Sequence, residues 1–131
     1  MLFLGQAILI GTNSPNVLRA YVLYSDETGT KGNITLSDSS ANYKYLEAYY
    51  YADPTHILSA KVCDPDGNSI ILPMVGYYGN SFAVRSAMYN ISGITLTLST
   101  DDSGYGFIRS GGIEIHGESN PFFVIKILGY K

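Results

Sequence analysis

The chain has 131 residues, the size of one ordinary domain, and we predict a single domain over residues 1–131. Charged residues make up 15% of it, compared with about 25% in an average globular protein. The net charge is −3, and the eight Lys and Arg residues are scattered along the chain without forming a basic stripe. This composition argues against nucleic-acid binding, which needs clustered cations to neutralise phosphates.

The first ten residues, Met1–Ile10, are strongly apolar. They lack a basic start, Gln6 interrupts them, and about 20 apolar residues are needed to cross a bilayer. We therefore interpret this segment as a β-strand, and we expect neither a signal peptide nor membrane insertion.

Short runs of alternating apolar and polar residues follow along the rest of the chain, separated by Gly, Pro, Asn and Asp at regular intervals. This pattern predicts an all-β domain, an antiparallel β-sandwich of jelly-roll-like type. The predicted strands are Leu2–Ile10, Leu18–Tyr24, Gly32–Leu36, Leu46–Tyr51, Ile57–Cys63, Ser69–Leu72, Ala83–Tyr89, Gly93–Ser99, Phe107–Ser110, Phe122–Tyr130 and a short Ile113–His116.

The turn residues between the predicted strands support these strand boundaries. Asp66-Gly67 lies between two β-rich runs and is the strongest hairpin signal, while Gly79-Asn80 and Asp101–Gly104 also predict turns. In the clearest strand, Gly93–Ser99, the apolar residues Ile94, Leu96 and Leu98 alternate with polar ones and are expected to face the core.

Two runs, Phe122–Tyr130 and Met1–Ile10, are apolar on both strand faces. Each is either central within one chain or covered on one face by another subunit. We expect the second arrangement, a homotrimer that uses one of these faces, because the low charge also suggests covered surface.

Tyrosine is the most informative residue type, with twelve in the chain. In Tyr49-Tyr50-Tyr51 and Tyr77-Tyr78 neighbouring rings must point to opposite strand faces, so some of them point outward. Outward tyrosines beside Gly, Asn and Ser are typical of binding loops, whereas a structural role on a sheet face is the alternative. We predict ligand contacts from the loops 76–81 and 101–106, with Tyr77, Tyr78, Asn80, Asp101, Asp102 and Tyr105 as candidates.

Signals of catalysis are weak. His56 and His116 are the only histidines, and His116 shares a strand face with Glu114, an arrangement usually found as a solvent-facing pair. Cys63 lies in an alternating run and is expected to be a buried thiol without a catalytic role. Glycoside hydrolysis would need two neighbouring acids, and the candidates are Glu47, Asp53, Asp101, Asp102, Glu114 and Glu118.

A calcium loop is suggested superficially by the acidic run Asp64–Ser69. Counting from Asp64, an EF-hand loop would need Gly at the sixth position and Glu at the twelfth, where this chain has Ser69 and Val75. A tight turn accounts for the same residues. We therefore predict no metal, no cofactor and no catalysis.

The order of the elements resembles a known family. The segments that carry the resemblance are Leu2–Gly5, Gly32–Ser39, Asn42–Tyr50 and Phe123–Lys131. They resemble the carboxy-terminal head domains of tail fibres and baseplate receptor-binding proteins of phages and prophages. The resemblance implies a homotrimeric virion component, assembled in the bacterial cytoplasm with other tail proteins, that binds a host-surface glycan or wall polymer.

Two other functions remain open on sequence alone. One is a free-standing bacterial carbohydrate-binding module or accessory β-sandwich, which would be monomeric. The other is a small glycan-cleaving enzyme, which would turn over bacterial polysaccharide.

Overall fold

A computed structural model of the chain describes residues 8–9, 18–78, 81–109, 112–117 and 122–131, with backbone only at 8–9, 77–78, 81, 100–105, 107–109 and 115–117. These described residues contain ten strands: β1 Ile8–Leu9, β2 Arg19–Thr30, β3 Ile34–Thr35, β4 Tyr45–Tyr51, β5 Leu58–Cys63, β6 Ser69–Tyr78, β7 Ser81–Ser92, β8 Thr95–Arg109, β9 Gly112–Gly117 and β10 Phe123–Tyr130. One 3-10 turn, Ser40–Asn42, lies between β3 and β4.

The strands form two antiparallel sheets. The first has the order β1-β2-β10-β4-β5, and the second has the order β3-β8-β7-β6, with β9 pairing to β8. The prediction of an all-β antiparallel sandwich is confirmed. The pairs β2·β10 and β3·β8 are nested as in a jelly roll, while β6, β7 and β8 follow one another as neighbouring antiparallel strands.

The core lies between the sheets and follows the alternation of the strands. On β4 the residues Leu46, Ala48 and Tyr50 face inward and are almost fully buried. Tyr43, Tyr89 of β7 and Phe122, just before β10, are the other large aromatic residues of the main core. Because side chains on a strand alternate between faces, the residues between these on β4 face outward.

β10 is the central strand of the first sheet and lies between β2 and β4. Its inward residues Val124 and Ile127 belong to the main core. Its outward residues Leu128 and Tyr130 form a second apolar cluster with Ala20. The second half of β10, from Ile127 to Tyr130, is thus buried on both faces, as the alternative of a strand that is central within one chain implies. The predicted contact through Met1–Ile10 lies almost entirely outside the described residues.

The Asp66-Gly67 turn does not close a hairpin, contrary to the prediction. It joins β5 of the first sheet to β6 of the second. β5 pairs with β4, and β6 pairs with β7. Gly67 has the positive φ of 81° that the turn chemistry predicts. The Asp66 carboxylate accepts hydrogen bonds from the Gly93 N–H (2.7 Å) and the Ser40 hydroxyl (3.1 Å). The Asp66 carboxylate therefore links its own turn to the 3-10 turn at Ser40 and to the turn at Gly93.

Several strands are longer than predicted, among them β2, β6, β7 and β8. β6 continues past Pro73 to Tyr78, which is possible because β6 is an edge strand and Pro73 can lack an N–H there. β8 continues through the predicted turn at Asp101–Gly104. The register shift there leaves the four residues 100–103 opposite Ala87 alone, so the turn-forming composition corresponds to a bulge.

Two apolar residues expected inside the core are exposed. Ile94 lies in the turn between β7 and β8 and is 47% exposed, while Leu96 is buried as predicted. Cys63 is exposed because β5 directs Leu58, Ala60 and Val62 inward and the residues between them outward. The prediction of a buried thiol is wrong.

Candidate functional site

The predicted ligand-binding residues are spread along the second sheet. Tyr77 and Tyr78 end β6 and pair with Phe82 and Ser81 of β7, whereas Tyr105 of β8 pairs with Arg85. Asp101 and Asp102 lie in the bulge opposite Ala87, about 17 Å along β7 from Phe82 at the usual rise per strand residue. Asn80 lies outside the described residues. The backbone register therefore does not bring these candidates into one cluster, and the site remains a prediction.

The first sheet presents a more complete arrangement of tyrosines. As predicted, neighbouring rings alternate, with Tyr50 in the core and Tyr49 and Tyr51 outside it. The outward residues of β4 pair directly with outward residues of β10. We call this surface the outer tyrosine face; it consists of Tyr45, Glu47, Tyr49 and Tyr51 of β4 with Phe123, Lys126, Leu128 and Tyr130 of β10.

A buried carboxylate lies in the middle of the outer tyrosine face. Glu47 is 7% exposed, and its Oε1 accepts hydrogen bonds from the hydroxyls of Tyr49 (3.0 Å) and Tyr130 (2.8 Å). The Lys61 Nζ lies 3.8 Å from Oε2. Burial, and then the nearby Glu47 carboxylate, raise the pKa of both tyrosines above the ordinary value. The network therefore fixes the two rings with their hydroxyls protonated.

Each end of the face carries a pair of stacked rings beneath a lysine. Tyr45 and Tyr130 stack with ring centroids 4.4 Å apart, and Lys61 Nζ lies 5.3 Å from the Tyr45 centroid. At the other end Tyr51 stacks on Phe123 at 5.3 Å, with the Lys31 Nζ 4.8 Å above the Phe123 ring. Lysine ammonium groups are attracted to the faces of aromatic rings, so both ends combine aromatic surface with positive charge.

A groove opens between these two ends. Its volume is about 290 Å³, near the lower limit of small-molecule sites, and it is lined by Tyr49, Ile57, Ile125, Lys126 and Leu128. The groove lies where β10 bulges: Val124 pairs with Tyr50 and Lys126 with Tyr49, so Ile125 is an extra residue. The bulge sets Ile125 beside Lys126 along the wall.

The remaining chemically active side chains are dispersed. His56 is largely exposed, with Nδ1 2.8 Å from the Thr55 hydroxyl and 3.8 Å from Asp53. The backbone of His116 lies in β9, opposite Tyr105, and its side chain is outside the described part. In that described part there is no group of three His, Cys, Asp or Glu side chains placed to hold a metal ion. Nor does the described part contain a helix of the length and apolarity that crossing a membrane would take.

The sequence contained part of the signal for this face. Every second position from 45 to 51 carries a tyrosine or a glutamate: Tyr45, Glu47, Tyr49 and Tyr51. This spacing indicates a half-exposed strand face with one carboxylate among the rings. On sequence alone, Glu47 is named only among the acids that glycoside hydrolysis could use. Lys126 is included only within the run Phe122–Tyr130, which is apolar on both faces. Tyr130 is 83 positions from Glu47, so their contact depends on the pairing of β4 with β10.

Comparisons with protein-family models, with curated proteins and with solved structures gave no match to this chain.

Proposed function

We propose that the chain is a non-catalytic glycan-binding β-sandwich, and that it acts as the homotrimeric head of a phage-type tail fibre or baseplate, attaching to a host-surface glycan. The observation that carries the proposal is the groove of the outer tyrosine face. It offers the Tyr49 ring on a rigid strand, and the Tyr49 hydroxyl is already held by Glu47.

The physical basis is the match between tyrosine and sugar. A sugar ring has an apolar face that stacks on an aromatic ring, and its hydroxyls need polar partners at the edge of the contact. Tyr49, Ile57 and Ile125 supply apolar surface in the groove, while Lys126 supplies hydrogen-bond donors. Because Tyr49 is fixed by its neighbours, little side-chain entropy is lost when a ligand binds.

A free-standing carbohydrate-binding module is the second candidate. It is favoured by the second half of β10, which is buried on both faces within one chain and there needs no second subunit. Light scattering at micromolar concentration separates the two candidates. A trimer supports the tail-head proposal, and a monomer supports the module.

Binding to a panel of purified bacterial surface glycans tests the shared part of both proposals. We expect Tyr49→Ala to weaken binding about tenfold, since a stacked ring of this kind is worth more than about 1 kcal/mol. Tyr49→Phe keeps the ring and is the matched control, which should bind within about threefold of the parent.

The ligand-binding loops predicted at 76–81 and 101–106, whose described residues belong to the second sheet, are tested in the same experiment. If Tyr78→Ala and Tyr105→Ala abolish binding while Tyr49→Ala leaves it unchanged, the ligand binds the second sheet and the groove proposal is wrong. Failure of the folded parent to bind any glycan on the panel would refute glycan binding altogether.

A further inference from the structure

We infer that the groove of the outer tyrosine face selects sugars that carry a methyl group, either as a 6-deoxy sugar or through an acetyl substituent. The inference rests on the proposed glycan binding and specifies its ligand class. It is carried by the apolar wall of the groove, which is formed by Ile57 and Ile125 together with the Tyr49 ring.

Ile57 is an exposed apolar residue that lines the groove. Its side chain is 56% exposed, and the fold gains little from an isoleucine that faces water. Ile57 comes two residues before Ser59, which is the strand partner of Tyr49, so alternation along the chain puts Ile57 and Ser59 on the same face. The exposed isoleucine therefore lies on the outer side of the sheet, close to the Tyr49 ring.

The turn that precedes Ile57 is held by local hydrogen bonds. The Asp53 carboxylate accepts hydrogen bonds from the Thr55 N–H (3.0 Å) and the Thr55 hydroxyl (2.9 Å). The His56 N–H donates to the Asp53 carbonyl at 2.9 Å. Because such Asx turns fix the backbone over a few residues, Ile57 is presented from a defined shape. Little loop entropy is then lost when a ligand contacts it.

Ile125 supplies the second part of the wall. It is the extra residue of the β10 bulge and is half-buried, so part of its side chain remains open to a ligand. Leu128 is 1% exposed and adds little surface. Lys126 already has an interaction within the chain, and the selection does not depend on its charge. The apolar surface that a ligand meets is therefore the Tyr49 ring with two isoleucine side chains.

The size of the groove limits what it can hold. Its volume is about 290 Å³, and five of the described residues line it. A stable protein interface uses about 20–30 residues on each side, so this groove is too small to seat a second subunit by itself. Small-molecule sites begin at about 300 Å³, a size that suits one sugar residue of a longer glycan.

The chemistry of the wall decides between sugars of similar size. A hydroxyl that is buried against isoleucine loses water without gaining a hydrogen-bond partner, whereas a methyl group at the same place gains from burial. A sugar stacked on Tyr49 can direct one substituent towards Ile57 and Ile125. Because Ile57 is exposed, its side of the groove is open to water, and the other hydroxyls of the sugar keep their solvent. The groove therefore favours a methyl group at the wall.

Three matched pairs of free sugars test this with the full chain, by ligand NMR titration. L-fucose is compared with L-galactose and L-rhamnose with L-mannose, since each pair differs only by a methyl group in place of a hydroxymethyl group. N-acetylglucosamine is compared with glucose. We expect the parent to bind the methyl-bearing member of at least one pair about fourfold to tenfold more tightly. The pair that shows the preference distinguishes a deoxy sugar from an acetylated one.

Variants assign the preference to the wall. Ile57→Thr keeps the branched shape but places a hydroxyl at the wall, and it should remove the preference. Ile57→Val keeps the wall apolar and should retain the preference. Ile94→Thr is the matched control, because Ile94 is also an exposed isoleucine but lies outside the groove lining, and it should behave as the parent does. All three positions are at the surface, so melting curves should stay close to that of the parent.

Some results would overturn the inference and leave glycan binding standing. One is a parent that binds no methyl-bearing sugar more tightly than its partner, or that binds a glycan of the panel but none of these sugars. Another is an Ile57→Thr variant that retains the preference, or an Ile94→Thr variant that loses it. If the folded parent binds neither these sugars nor any member of the panel, glycan binding itself is refuted.

Discussion

Strands β10 and β6 have similar apolar compositions and opposite surroundings. β10 lies at the centre of the first sheet, and Ile127 on one face and Leu128 on the other are each 1% exposed. β6 is an edge strand of the second sheet, and its outward residues Ile71 and Val75 are 57% and 58% exposed. The inward residues Ile70 and Leu72 of β6 are also buried, so the two strands differ on their outward faces, and composition alone does not reveal that difference.

The largest expected effect comes from truncating an isoleucine on each strand. Ile127→Ala should lower the free energy of unfolding by about 2–5 kcal/mol, because it leaves a cavity in the core. Ile71→Ala should change it by less than about 0.5 kcal/mol, because its side chain is already exposed. Urea denaturation measures both. A loss of the larger size at Ile71 would show that the outer side of β6 is covered in solution, and the comparison would then fail.

Glycines on the same strands make a second matched pair. A Cβ at Gly129 of β10 would lie 2.6 Å from Cδ1 of Tyr43 and 2.7 Å from Cδ1 of Leu23. Gly129→Ala should therefore cost about 1–3 kcal/mol of stability through overpacking. At Gly76 of β6 a Cβ would have no atom within 4 Å, and Gly76→Ala should be nearly neutral. Equal melting temperatures for the two variants would contradict the packing described around β10.

The outer side of β10 depends on polar bonds as well as on packing. Glu47→Gln keeps an acceptor for the hydroxyls of Tyr49 and Tyr130 but removes the charge, which should cost about 1 kcal/mol. Glu27→Gln, at an exposed position of β2, is the control and should be neutral. Denaturant titration decides the matter, and a neutral result for Glu47→Gln would mean that the charged network does not stabilise the outer tyrosine face.

The smallest expected effect is that of alkaline pH on the free energy of unfolding, which changes through Tyr50 only above about pH 10. Burial raises the pKa of Tyr50 to about 12, compared with about 10 in an unfolded chain, and the Tyr50 hydroxyl bonds to the Pro73 carbonyl of β6. Because only the unfolded state ionises readily above pH 10, this contribution to stability is complete below about pH 10 and declines as the pH approaches about 12. Denaturation curves at several alkaline pH values should show the decline, and it should be smaller in Tyr50→Phe. A flat profile in the parent would contradict the burial of Tyr50.

Much of the fold could be predicted from the sequence because it depends on local signals. Alternation located most strands, and Gly67 adopts the positive φ that its turn requires. Pairing depends on distant residues, so Asp66-Gly67 was assigned to a hairpin although it joins the two sheets. The predicted strand Ser69–Leu72 is shorter than β6, and the sequence does not show that β6 is an edge strand, which can continue past Pro73.

The site was harder to predict than the fold. The alternating tyrosines of β4 were visible, but the groove depends on the bulge at Ile125 and on the alignment of Lys126 with Tyr49. Both depend on pairing between segments far apart in the sequence. A loop-like composition instead predicted ligand contacts from Asp101 and Asp102, but these residues belong to the long strand β8.

Mapping the bound ligand by NMR is the most direct test of the central claim, which is that the outer tyrosine face binds the glycan. The parent would be titrated with the glycan of the panel that it binds most tightly, and backbone amide shifts would be followed on both sheets. We expect the largest shifts at Tyr49 of β4 and at Lys126 and Leu128 of β10. Shifts confined to 76–81 and 101–106, with β4 and β10 unchanged, would contradict the account and place the ligand on the second sheet.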